Sequence, residues 1–423
     1  MRIEPAAFVR GSFTLPGDKS ISHRAALIGA MATGKTRVRN FSSAVDCAST
    51  LACLRGLGVA IREDGHELVI EGGLSAWREP KGVLDAGNSG STIRMLAGAL
   101  AGRPFRATLT GDASLRRRPL ERVAAPLRAM GASVETTGGS APITITGGAL
   151  RGFAHDLPVA SAQVKTAVLL AGLQAEGRTT VREPVPSRDH TERMLAAFGA
   201  PVEREGLSAS VVGGTPLHGT TVSVPGDVSS AAFLVVAALV RPDSEVRLEG
   251  VLLSPTRTAF VEVLRAMGGR VETRLDAADP EPVGSIVASS SALRGTRVDP
   301  ALVPSLIDEV PALAVAGAFA TGELEITGAS ELRFKESDRI AALASGLQAL
   351  GARVRELPDG LVVTGGAELH GASVDSHDDH RIAMALAVAA LGASGPSEIL
   401  RGECVSVSFP EFEALLARAT GRA

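Results

Sequence analysis

The stretch Gly29–Thr36, "GAMATGKT", fits GxxxxGK[ST], the pattern of a loop that cradles phosphate with backbone amides. Such a loop must follow a buried strand and open a helix, because only a helix N-terminus offers unsatisfied N–H groups and a positive dipole end. The order of elements around Gly29 therefore decides what the stretch is. Before it, "PGDKSISHRAALI" has a polar start and then an Ala/Leu-rich run; after it, "KTRVRNF" concentrates strand-forming residues. This order predicts that Gly29 sits in the last turns of a helix, that Gly34 caps its end and that Lys35 and Thr36 begin a strand. A helix C-terminus points carbonyls outward and repels phosphate.

The same order recurs along the chain. Helices with polar starts are expected in "PGDKSISHRAALIGAMATG" from 16, "DAGNSGSTIRMLAGALAG" from 85, "VASAQVKTAVLLAGLQAEG" from 159, "PGDVSSAAFLVVAALV" from 225, "VPSLIDEVPALAVAGAFATG" from 303 and "SHDDHRIAMALAVAALGASG" from 376. Between them run amphipathic helices stopped by glycine and followed by a strand pair, as in "LRGLGVAIREDGHELVIEGG" and "LQALGARVRELPDGLVVTGG". The stopping glycines are Gly58, Gly131, Gly199, Gly268, Gly351 and Gly421, spaced 73, 68, 69, 83 and 70 residues apart. The last unit lacks its strand pair, which the otherwise unassigned N-terminus, "MRIEPAAFVRGSFTLPG", can supply. A period of this length means a repeat architecture. Six βαβαββ-like units in two similar α/β domains are expected. One is 17–226; the other is discontinuous, 1–16 with 227–423, and the crossings fall at the near-identical "LPGDK" and "VPGDV", which fit a hinge.

Composition narrows the function. A chain of 423 residues, 45% of them hydrophobic, is long enough for two well-packed domains. The net charge of −3 with interspersed signs argues against general adhesion to nucleic acid or anionic membrane. The longest apolar run, Ala231–Val240, is too short to span a bilayer, and the N-terminus lacks a secretory apolar core. A cytoplasmic monomer is expected. Cys47, Cys53 and Cys404 have neither disulfide nor metal-ligand spacing and read as small apolar fillers.

Anion sites belong at the helix starts. Lys19, Ser20 and Arg24 open the first unit. Asn88, Gly90 and Ser91 open the second, Gly90 allowing close approach to the backbone. Ser161 and Gln163 open the third. In the second domain Asp308 and Glu309 precede one helix, and Asp378, Asp379, His380 and Arg381 another, while "ELRFKESDR" packs Arg333, Lys335, Glu336, Asp338 and Arg339 before a third. Singly, Ser, Asp and Asn at such positions are ordinary caps. Together, in a two-domain fold whose helix starts converge, they describe a site for a multiply anionic ligand with acid/base chemistry. "DDHR" resembles a metal pair, but carboxylates crowded by arginine orient cations, and no metal is expected.

"LPGDKSISHRA", "GNSGSTIRML", "SAQVKTAVLLAGL", "LRFKESDRI" and "DDHRIAMA" together closely resemble the 5-enolpyruvylshikimate-3-phosphate synthase family, in family order from about residue 3 to 420. The resemblance implies a two-lobed inside-out α/β barrel. It also implies transfer of the enolpyruvyl group of phosphoenolpyruvate to the 5-hydroxyl of shikimate-3-phosphate, without cofactor or metal. Its small-molecule substrates are then its only expected partners. By that resemblance Lys19, Ser20, Arg24, Ser161, Ala162, Gln163, Arg188, Asp308 and Lys335 hold shikimate-3-phosphate. Lys19, Gly90, Arg118, Gln163, Arg339 and Arg381 hold phosphoenolpyruvate. Asp308 takes the proton of the attacking hydroxyl, Glu336 protonates the methylene carbon, and Lys19 assists phosphate departure. The glycine at 90 further implies inhibition by glyphosate.

Some features depart from the family pattern. The chain has no tyrosine to contact the substrate ring, leaving Arg188 to replace it, and Val407 stands where some members carry lysine. In "SLRRRPL" Arg116 rivals Arg118. The sister enolpyruvyl transferase acting on UDP-N-acetylglucosamine is the alternative, but its lysine motif begins "KNA", and the loop here lacks its cysteine.

Overall fold

Gly29 lies inside a helix. In the computed structural model α1 runs Lys19–Met31, Ala32 N still donates to Ile28 O at 2.9 Å, and the strand Gly34–Arg39 follows. The helix stops earlier than the sequence indicates: Gly34, at φ +93°, opens the strand instead of capping the helix. What terminates α1 is competition for its carbonyls, since Ala30 O accepts from Gly73 N at 2.9 Å and from the Trp77 indole N–H at 3.0 Å. Within "GAMATGKT" the Ala30 carbonyl is thus already bonded.

The described residues are 1–65 and 67–422; residues 66 and 423 lie outside that set. The chain divides into two compact units, Gly17–Val224 and Met1–Pro16 with Pro225–Ala423. The second crossing therefore precedes Pro225 and does not follow Gly226. Gly226 belongs with the segment after it because its N–H donates to Gly250 O at 2.8 Å and its carbonyl accepts from Leu252 N at 3.0 Å. Val224 stays with the segment before it, bonded to Arg39 O and Asn40 Nδ2.

Both units are mixed α/β. In Gly17–Val224 the helices after α1 are α2 (Val45–Gly56), α3 (Gly90–Leu100), α4 (Glu121–Ala129), α5 (Ala162–Gly172) and α6 (His190–Ala197). Its three four-stranded sheets share one pattern, a parallel edge strand followed by an antiparallel trio. They are ordered Thr221–Ser223, Gly34–Arg39, Glu67–Gly72, Ala60–Asp64; Leu84–Asp85, Arg106–Thr110, Ser140–Thr146, Ser133–Thr137; and Ala154–Asp156, Arg178–Arg182, Ser208–Val212, Glu203–Glu205. Helix α3 packs on α1 and α5. Its approach to α5 needs Gly98, where a Cβ would lie 2.1 Å from Ala167 O.

The other unit holds α7 (Val228–Val240), α8 (Ala259–Ala266), the short α9 (Val303–Leu306), α10 (Val310–Phe319), α11 (Arg339–Ala349), α12 (His380–Ala390) and α13 (Phe412–Ala419). Helices α7, α10 and α12 pack on one another and are buried on nearly every face, as their unbroken apolar runs require. The N-terminal segment does not form a strand pair of its own. Its two strands join different sheets: Arg2–Ile3 pairs antiparallel with Ser397–Leu400, and Arg10–Thr14 pairs parallel with Glu245–Leu252.

Local chemistry fixes the helix ends. All six stopping glycines adopt left-handed φ, from +70° to +112°. In each case the next residue's N–H returns to the carbonyl five positions earlier: Val59 to Leu54, Ala132 to Leu127, Ala200 to Leu195, Gly269 to Leu264, Ala352 to Leu347 and Arg422 to Ala417, at 2.8–3.1 Å. This six-to-one bond requires a residue tolerant of positive φ, hence glycine. On the other helices, at the starts of α1, α3, α5, α7 and α12, Asp18, Ser89, Ser161, Asp227 and Asp379 accept backbone N–H bonds as N-caps. Each cap contributes about 1 kcal/mol. Among the described residues no single helix is long and apolar enough to cross a membrane.

Candidate functional site

In Gly17–Val224 the predicted residues cluster at the starts of α1, α3 and α5. Because Asp18 takes the cap of α1, Lys19 and Ser20 occupy its first turn. Lys19 Nζ meets Asp46 Oδ2 of α2 at 2.8 Å, both side chains largely shielded. Arg24, one turn further in, is buried. Its Nε donates to Thr191 Oγ1 at 2.7 Å, Nη2 to Thr166 Oγ1 at 3.0 Å and Nη1 to Ser20 O at 2.9 Å. These neutral acceptors fix the plane of the guanidinium. Arg188 Nη1 donates to Ser20 Oγ at 3.2 Å.

Gly90 is the first residue of α3. A Cβ there would lie 2.6 Å from Arg94 Nη1 and 3.5 Å from Arg118 Nη1, so two guanidinium groups flank bare backbone. Arg118 is fixed by Asn88, through Oδ1 at 2.7 Å and O at 3.2 Å, and by Ser114 Oγ at 3.1 Å. Arg116 instead turns outward to Thr110 Oγ1 at 3.2 Å, exposed. Gln163 joins α5 to α3: its Oε1 accepts from Arg94 Nη1 at 2.9 Å and its Nε2 donates to Ser91 Oγ at 3.0 Å. Ser161 caps α5 through Val164 N, and Ala162 begins the helix.

In the other unit Asp308, Lys335, Glu336, Arg339, Asp379 and Arg381 come together. Asp308 Oδ1 lies 3.2 Å from Arg339 Nη1, 3.6 Å from Lys335 Nζ and 3.7 Å from Arg381 Nε, while Asp308 O accepts from Arg381 Nη1 at 3.1 Å. Arg339 is buried and reaches three carboxylates at once, also meeting Glu336 Oε2 at 2.6 Å and Asp379 Oδ2 at 2.8 Å. Burial alone would lower its proton affinity. Asp379, Glu336 and Asp308 outweigh that and raise it, so the charge is permanent. Asp379 also caps α12 by accepting from Arg381 N at 2.9 Å. Behind Asp308, buried Glu309 accepts from Ser229 Oγ of α7, which in turn accepts from Arg257 Nη2 at 2.9 Å. The arrangement sets several fixed cations, able to bind anionic oxygen, beside a group of carboxylates.

A family model described as EPSP synthase (3-phosphoshikimate 1-carboxyvinyltransferase) matches residues 3–416. The chain belongs to this family. It is 52% identical over 417 residues to the 3-phosphoshikimate 1-carboxyvinyltransferase of Desulforudis audaxviator, covering 97% of each chain. It is 51% identical over 420 residues to that of Acidithiobacillus ferrooxidans, covering 99% of this chain and 97% of the relative. Among solved structures, EPSP synthase from Acinetobacter baumannii has a TM-score of 0.87 at 46% identity, covering 99% of this chain and 97% of that one.

Set beside that family, the residues missed from sequence are those that hold the others. Asp46 holds Lys19, Thr166 and Thr191 hold Arg24, and Arg94 holds Gln163. Only Arg94 carried a local signal, as a cation one turn into the helix that Gly90 opens. The cysteines are all buried, and burial pushes the Cys53 thiol up to about 12 and the Cys404 thiol up to about 11, so neither forms a thiolate readily at neutral pH.

Proposed function

We propose that the chain transfers the enolpyruvyl group of phosphoenolpyruvate to the 5-hydroxyl of shikimate-3-phosphate, releasing phosphate. The observation that carries this reading is the Asp308 carboxylate, one oxygen of which faces Lys335, Arg339 and Arg381. A base so placed adjoins the cations that would hold both reactants. Lys19, Ser20, Arg24, Ser161, Ala162, Gln163, Arg188, Asp308 and Lys335 serve shikimate-3-phosphate. Lys19, Gly90, Arg118, Gln163, Arg339 and Arg381 serve phosphoenolpyruvate, where guanidinium forks match carboxylate and phosphate.

The reaction is addition followed by elimination. A proton reaches the methylene carbon from Glu336, the adjacent carbon becomes cation-like, and the 5-hydroxyl adds to it as Asp308 takes the hydroxyl proton. The resulting methyl group then returns a proton as the C–O bond to phosphate breaks, restoring the enol ether. Lys19 stabilises the departing phosphate. Glu336 meets Arg339 here as an ion pair, so its proton arrives only when bound substrate competes for that guanidinium.

The same reading extends to the architecture and setting: an inside-out barrel of six βαβαββ units, acting in the cytoplasm as a monomer. Support for the repeat is the set of six left-handed glycine stops. The test of function is phosphate release from phosphoenolpyruvate that depends on shikimate-3-phosphate, without ATP. Turnover with UDP-N-acetylglucosamine instead would overturn it.

A further inference from the structure

Four buried side chains form a directed hydrogen-bond chain across α1, α2 and α3. His23 Nδ1 lies 2.7 Å from Thr50 Oγ1, Thr50 Oγ1 lies 2.6 Å from Thr92 Oγ1, and Thr92 Oγ1 donates to Ser89 Oγ at 2.8 Å. All four are fully shielded from solvent. The last link sets the direction of the rest. A hydroxyl has one proton, and that of Thr92 is committed to Ser89, so Thr92 accepts from Thr50 and Thr50 accepts from His23. His23 therefore carries its proton on Nδ1. Its Nε2 has no hydrogen-bond partner among the described residues, as a bare lone pair in an enclosed site would. Burial first, then the charges of Lys19 and Arg24, hold the ring's proton affinity well below the ordinary histidine range and keep it neutral.

The spacing shows what the chain joins. Lys19 and His23 are four residues apart on α1, and Asp46 and Thr50 are four apart on α2, so each pair stacks one turn apart on a common face. Lys19–Asp46 at 2.8 Å and His23–Thr50 at 2.7 Å are successive rungs between the same two helices. The second rung continues into α3 and ends at Ser89, whose Oγ also accepts from Thr92 N at 3.1 Å and so caps the helix that Gly90 begins.

We propose that His23 and Thr50 are positioning residues for phosphoenolpyruvate: their rung fixes the register of α1 on α2, and with it Lys19, while its continuation fixes the start of α3, and with it Gly90. This rests on the functional reading above. Both act through other groups, being fully buried.

The test compares wild type with Thr50→Val, Thr50→Ser, His23→Leu and His23→Asn. Wild type that shows no phosphate release dependent on shikimate-3-phosphate would overturn the functional reading and this inference with it. With an active wild type, Thr50→Val and His23→Leu are expected to raise KM for phosphoenolpyruvate about tenfold or more and to lower kcat, while KM for shikimate-3-phosphate, which Lys19 also serves but Gly90 does not, rises by a clearly smaller factor. Thr50→Ser restores the hydroxyl, and His23→Asn keeps a donor at the branch position of Nδ1; both are expected to rescue most of the loss. Equal changes in the two KM values, or a lowered melting temperature with unchanged kinetics, would overturn this inference alone. Should the Val and Leu variants not fold, the 15N spectrum of His23 in wild type decides the matter: an Nδ1–H ring supports the directed chain, and an Nε2–H ring overturns it.

Discussion

Asp308 and Arg339 meet at 3.2 Å, Oδ1 to Nη1, and the same oxygen faces Lys335 and Arg381. Replacing the carboxylate by an amide keeps its shape and removes its basicity. Asp308→Asn is therefore expected to lower kcat by about 10²–10⁴, the usual worth of a general base. Arg339 retains Glu336 and Asp379, so the cations stay in place and KM for phosphoenolpyruvate should move by less than about threefold. Steady-state kinetics in both substrates check this.

Gly90→Ala adds a Cβ 2.6 Å from the tip of Arg94, a flexible side chain that can yield. The fold should survive with a near wild-type melting temperature. Moving Arg94 loosens its 2.9 Å bond to Gln163 and crowds the anion beside Arg118. Glyphosate is expected to inhibit wild type, and the alanine variant to need about tenfold more inhibitor or beyond, one factor of ten being about 1.4 kcal/mol of lost binding. Undiminished wild-type activity in millimolar glyphosate would contradict this.

Lys165 is buried between Glu183 and Glu192, at 2.6 and 2.7 Å. Lys165→Met would strand two carboxylates away from water, at a cost of about 3–5 kcal/mol, measurable by urea unfolding. Activity should fall as well. Glu183 also accepts from Ser187 Oγ, next in sequence to Arg188, so the ion cluster anchors the loop that carries that arginine.

Acid should destabilise the protein in part through His23. Its folded-state proton affinity is lowered by burial and by Lys19 and Arg24, so the unfolded chain binds the proton more readily. Stability is then lost as pH falls below about 6.5, the unfolded value. Urea midpoints measured from about pH 7.5 to 5 should fall less steeply for His23→Asn than for wild type.

Lys35, the lysine of "GAMATGKT", is exposed and pairs with Glu71 at 3.4 Å on the surface. Lys35→Ala should leave kcat, both KM values and the melting temperature at wild-type levels, because exposed pairs of this kind contribute little. ATP should bind neither protein, as calorimetry can check.

Much of this was legible in the chain because the signals are local. A glycine stop needs one residue and the five before it, and all six stops were readable from Gly58 to Gly421. Caps such as Ser161 and Asp379 announce themselves in the same way. The true end of α1 was not readable, since Gly73 and Trp77, more than forty positions on, take the carbonyl of Ala30. Nor were Asp46, Thr166 and Thr191: aspartate and threonine inside helices look like ordinary polar faces until folding sets them against Lys19 and Arg24. That Arg118, and not Arg116, bonds Asn88 was not readable either, the contact being thirty residues away.

The pairing of Arg2–Ile3 with Ser397–Leu400 has a consequence for synthesis. The strand Arg2–Ile3 finds its partner only once Ser397–Leu400 has been synthesised; Met1 N bonds Ile399 O at 2.9 Å. Gly17–Val224 has all its sheet neighbours within its own span and can complete them while translation continues. The discontinuous unit instead holds an unsatisfied edge until Ser397–Leu400 has been made.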